Sequence, residues 1–127
     1  MQYDNPRTLT IPLGSVNFAT NGASSFKLPN GLRGRLVDIG VIATTSFTAA
    51  TTGAAVNIGT TADPDAYASL GSLGTLAATD TFNTTNDPTA IINADLPADT
   101  QIEVQFVAPT GGSPAGVGLV YVVVDVF

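Results

Sequence analysis

The stretch Gln101-Ile102-Glu103-Val104-Gln105-Phe106 alternates polar and apolar side chains without a fault. A period of two puts Ile102, Val104 and Phe106 on one side of an extended backbone and Gln101, Glu103 and Gln105 on the other. A helix would scatter the same residues around its circumference. The rhythm recurs along the chain. Leu9, Ile11 and Leu13 alternate with Thr8, Thr10 and Pro12, and Val16 and Phe18 continue the pattern beyond Gly14. Phe26 and Leu28 flank Lys27, and Val56 and Ile58 flank Asn57. Val37, Ile39 and Val41 alternate with Asp38 and Gly40, although Leu36 and Ile42 blur the pattern. A last apolar run extends from Gly116 to Phe127.

Composition agrees with this rhythm. Thr is the commonest residue, and with Val and Ile it favours a pleated, half-buried surface. The 13 Gly and 8 Pro fall with Asn and Asp between the apolar runs, where they mark turns. The expected fold class is all-β: an antiparallel two-sheet β-sandwich of about eight short strands. A jelly roll is the expected arrangement, since eight strands in two Greek keys suit this length. Helix is limited to at most one short turn, where Asp63-Pro64-Asp65 offers a cap and a first helical position before Ala66, Tyr67 and Ala68. The 127 residues fit one domain. Residues 15–127 form the expected β-sandwich, preceded by residues 1–14 as an extended N-terminal arm or edge strand, because prolines at 6 and 12 cannot donate to a central ladder.

The missing residue types narrow the chemistry. Without Cys there is no disulfide, thiolate zinc site or thiol nucleophile. Without His the commonest general base and metal ligand are gone, and a hydroxyl nucleophile has no base of the usual kind. No enzyme is expected, and no catalytic, cofactor-binding or metal residue is assigned. Asp63, Asp65, Asp80 and Asp87 lack the spacing and terminal Glu of a calcium loop, so they read as turn carboxylates. Asn83-Thr84-Thr85 matches the glycosylation acceptor pattern, as expected by chance in a Thr-rich chain. Gly111-Gly112-Ser113-Pro114 has no Lys and opens no helix, so it reads as a loop between the last two strands.

A net charge of −6, with only Arg7, Lys27, Arg33 and Arg35 as cations, argues against direct nucleic-acid binding, which depends on neutralising phosphates. No stretch of about 20 apolar residues is present to cross a membrane as a helix. The first residues lack the basic-then-apolar order of a secretory signal, so synthesis in a host cytoplasm is expected.

Two segments suggest a surface made for a partner. In the last run, Val120, Val122, Val124 and Val126 share one face, while Leu119, Tyr121, Val123, Asp125 and Phe127 share the other. Antiparallel strands commonly keep one wet face, yet both faces here are mostly apolar. The second face either lies under a loop or meets another subunit. The N-terminal segment is either an edge strand with a frayed tail or an arm laying Tyr3, Leu9 and Ile11 on a neighbour. The candidate partner-binding residues are therefore Tyr3, Arg7, Leu9, Ile11, Leu119, Tyr121, Val123 and Phe127.

Gly34-Arg35-Leu36-Val37-Asp38-Ile39-Gly40-Val41, then Val56-Asn57-Ile58-Gly59-Thr60 and Asp63-Pro64-Asp65-Ala66-Tyr67-Ala68, resemble small proteins encoded among the head genes of tailed bacteriophages. Leu96-Pro97-Ala98-Asp99-Thr100 leading into Gln101 to Phe106, and the Val-rich final run, fit the same picture, so the likeness covers Gly34 to Phe127. Proteins of this kind look like capsid decoration, or cement, proteins. The resemblance implies a β-rich structural virion protein, a homotrimer on the outer capsid surface that clamps neighbouring major capsid protein subunits and stabilises the assembled shell. It implies no catalytic residue. The alternative is a receptor- or glycan-binding β-sandwich module of a phage fibre or tail, with Tyr3, Tyr67 and Tyr121 as its only tyrosine platforms.

Overall fold

The computed structural model describes residues 7–48, 51–71, 73–111, 113 and 115–127. Nine strands follow in order: β1 Arg7–Asn17, β2 Gly22–Phe26, β3 Gly34–Thr48, β4 Ala55–Gly59, β5 Ala68–Leu70, β6 Thr81–Asn83, β7 Asp95–Leu96, β8 Ile102–Val107 and β9 Ala115–Val126. There is no helix among the described residues. The single helical turn allowed for at Asp63 is instead a turn closed by Ala66 N donating to Asp63 O, and Ala68 already belongs to β5. A strand starting so soon leaves no residues for a helical repeat.

The strands form two antiparallel sheets. The β9 sheet has the order β1-β9-β3-β6, with β7 also pairing β3, and the β8 sheet has the order β2-β8-β4-β5. The pairing is nested. β1 pairs β9, β2 pairs β8, β3 pairs β6 and β4 pairs β5, each antiparallel. The first half of the chain thus lies along the second, and successive pairs fall in opposite sheets.

The period-two pattern fixes which side chains meet. Val120, Val122, Val124 and Val126 of β9 face Val56 and Ile58 of β4 and Ile102, Val104 and Phe106 of β8 across the interior, all essentially buried. Leu36, Ile39, Val41 and Phe47 of β3 complete that layer. Burying one such side chain contributes roughly 1.5–3 kcal/mol. Phe18, just past β1, closes one end, with its ring 5.1 Å from Phe47 and 5.9 Å from Phe106. At the opposite end Gly34 packs against Leu28, and Asp99 Oδ1 accepts from Gly31 N at 3.0 Å.

Of the two forms expected for residues 1–14, the described part is an edge strand. β1 pairs β9 from Arg7 to Asn17, continuing past Gly14. Its register shifts between Pro12 and Gly14, where Gly14 takes φ 82°. Such a bulge needs the left-handed backbone that glycine adopts freely. Tyr3 lies outside the described residues.

Candidate interaction surface

The two outer faces of the sandwich differ in kind. On the β8 sheet, Ser25, Glu103, Gln105, Asn57 and Ser69 face outward, and all but Ser25 make side-chain hydrogen bonds there. Ser69 Oγ donates to Asn57 Oδ1 at 2.8 Å, Gln105 Nε2 to Glu103 Oε1 at 3.3 Å, and Thr61 Oγ1 to Glu103 Oε2 at 3.0 Å. This face is polar.

The outer face of the β9 sheet is apolar along its centre. Register places Leu119 of β9 beside Ile42 of β3, Tyr121 beside Gly40, and Val123 beside Asp38 at a bulge that also turns Val37 outward. Leu119 is 44 % exposed, Val37 43 % and Ile42 37 %. Tyr121 and Val123 are half-buried. Tyr121 owes its burial to its own sheet: a Cβ at Gly40 would overlap its ring, so the ring lies flat over that glycine. At one end of the face, Thr8 Oγ1 donates to Asp125 Oδ1 at 2.6 Å, and Arg35 stands across from Asp125 on the other side. Asp38 is half-buried and occupied, accepting from Ile39 N at 2.8 Å, Thr84 N at 3.2 Å and Thr84 Oγ1 at 2.7 Å.

Leu119, Tyr121 and Val123 are therefore brought together on one face. Phe127 is 52 % exposed just beyond β9, its backbone paired with Arg33 in both directions at 3.0 Å. Leu9 and Ile11 are not on this face. They sit opposite Val124 and Val122 and pack half-buried against the domain's own core. Arg7 opens β1 and is exposed. Val37, Ile42 and Ile92, the last 62 % exposed, are exposed apolar side chains outside the set expected from the sequence. A signal for the first two was present. The doubled apolar pairs Leu36-Val37 and Val41-Ile42 blur the alternation because β3, like β9, carries apolar side chains on both faces.

No reactive cluster is assembled among the described residues. No polar or charged side chain is buried, and no group of three His, Cys, Asp or Glu converges as metal ligands. Asp63 is held above its ordinary carboxyl pKa by a shared hydrogen bond with Asp65, by local desolvation and by the charge of Asp65. A depression of about 400 Å³ lies along Asn21, Gly22, Ala23, Gln105, Phe106 and Val107, without an ionisable group or a tyrosine in its lining. Comparison with protein-family models, curated proteins and solved structures yields no match.

Proposed function

We propose that this chain is a structural virion protein. It lies on the outer surface of a bacteriophage capsid, binds the major capsid protein and holds neighbouring shell subunits together. The observation that carries this reading is the apolar outer face of the β9 sheet around Leu119, Ile42 and Val37, set on a sandwich whose other face is polar. Exposed contiguous apolar surface on a folded domain marks a site of association. Eleven residues of β1 at about 3.3 Å, across the three long strands β1, β9 and β3 at about 4.8 Å, give this face roughly 520 Å². A stable interface takes about 800 Å² per partner, so the face supplies the larger part of one contact.

The nested pairing supports a jelly-roll reading of the sandwich. Jelly rolls recur in viral capsid and lectin domains, an analogy of fold that does not by itself assign a role. In this reading the chain assembles as a homotrimer, touches no nucleic acid directly and catalyses nothing. Its effect is thermodynamic. A protein that binds the assembled shell and not the free subunit stabilises the shell by mass action, and many copies multiply the effect.

The test is co-sedimentation with the assembled shell of the virus encoding the chain, beside the unassembled shell subunit. The expected result is retention on shells alone, together with a higher shell melting temperature. Leu119→Asp, which leaves the core side of β9 untouched, should lose retention. Equal retention of the variant, or no retention of the parent protein, would defeat the proposal.

A further inference from the structure

The four cations and ten acids are segregated along the chain: Arg7, Lys27, Arg33 and Arg35 come before Asp38, and every acid but Asp4 lies from Asp38 onward. The fold converts that order into a charge difference across the width of the sandwich. β1 and β2 are the first strands of their sheets, and residues 18–21 join them directly, so they share one lateral margin. That margin carries Arg7 and Lys27, both exposed, and the described residues of its two strands include no acid. Arg35 stands further in, between Asp125 and Asp95 by register.

The opposite margin is built from β5, β6, β7 and the segment 84–94. Ile92 N donates to Tyr67 O at 2.8 Å, and Ile91 bridges Ala68, so residues 90–93 lie outside β5 as the outermost backbone on that side. Asp63, Asp65, Asp80, Asp87 and Asp95 belong to this margin, and no Lys or Arg follows Arg35. Levels match as well. Gly59, which leads into the Asp63–Asp65 turn, pairs with Glu103, next to the residue that pairs with Phe26 before Lys27. The basic and acidic corners therefore stand at the same end of the sandwich.

Apolar surface is complementary in the same way. Leu9, Ile11 and Leu13 share the core side of β1 but stay half-buried, because β2 has 5 residues against 11 in β1. Ile92, 62 % exposed, projects from the acidic margin. A knob on one margin and an apolar strip on the other make a heterologous contact, which joins copies head to tail.

We infer that a second copy of this chain occupies the β1–β2 margin: Asp63, Asp65 and Ile92 of one copy meet Arg7, Lys27 and the Leu9–Ile11–Leu13 strip of the next. This names the self-contact within the proposed assembly and leaves the outer face of the β9 sheet free for the shell. Charge complementarity sets orientation and association rate, and the apolar contact carries affinity.

Two variants test it, both altering exposed positions. Arg7→Glu with Lys27→Glu spoils the basic margin, and Ile92→Glu spoils the acidic one. Each is compared with the parent by light scattering and by thermal melting, and Arg7→Ser with Lys27→Ser replaces the first if it fails to fold. The parent should associate, and its dissociation constant should rise at least tenfold from 50 mM to 500 mM salt. Each variant alone should associate at least tenfold more weakly. An equimolar mixture should form a two-copy species and nothing larger, since each variant keeps the margin the other has lost. Self-association of either variant like the parent, or a mixture that stays monomeric, would overturn the inference. So would salt-independent association. A parent that is monomeric throughout but is retained on shells would overturn the self-contact while leaving the shell reading standing.

Discussion

Tyr121 shows how one residue without a side chain decides what a neighbour does. Gly40 leaves the space in which the ring lies, so a large amphipathic side chain rests half-buried on an outer face. Gly40→Ala should cost about 1–3 kcal/mol by overpacking, measured by urea unfolding. Removing the ring as well should recover part of that cost, because the two positions are in contact. Costs that simply add would mean the ring does not rest there. Asp63 offers a second test. Its folded pKa lies above the ordinary 3.8, so folding favours the protonated form. Below the unfolded value both states are protonated and nothing is lost. As pH rises through the folded value, a destabilising contribution appears and persists at neutral pH. Asp63→Asn should therefore melt higher than the parent at neutral pH, and the gap should close near about pH 3. A gap unchanged across that range would show that the pairing with Asp65 is not its cause.

Among the elements, the long strands announce themselves and the short ones do not. β8 and the apolar run of β9 follow from alternation alone, because each must bury one face along its whole length. Thr81-Phe82-Asn83 and Asp95-Leu96 are too short to show a period, and they exist as strands only because β3 offers them an open edge. The outer face of the β9 sheet was half legible. Leu119, Tyr121 and Val123 could be read from β9, but Val37 and Ile42 could not be added until pairing set β3 beside it. Alternation says which residues share a face and not which way that face turns, so it did not show that Leu9 and Ile11 lie on the core side of β1. The segment 84–94 depends on Asp38, whose Oδ1 holds Thr84 by backbone and side chain. Asp38→Ala should cost about 1–3 kcal/mol and speed amide exchange at Thr84 before exchange in β8 changes. Equal acceleration in both would mean that the segment and the core open as one unit.

At the scale of the molecule, the accessible surface of 6364 Å² matches the roughly 6,300 Å² expected of a folded monomer of this mass. The two sheets enclose one core of buried apolar side chains within the chain. What it leaves open is organised: an apolar outer face on one sheet, a basic margin with an apolar strip, and an acidic margin with a projecting isoleucine. The charge segregation was present in the order of residues, but it had no spatial meaning until the nested pairing put β1 and β2 on one side. The proposed function rests on these surfaces. The most direct measurement is the absolute mass of the purified protein by light scattering across micromolar dilution. The account predicts a concentration-dependent assembly reaching three chain masses. A single chain mass at every concentration would contradict it.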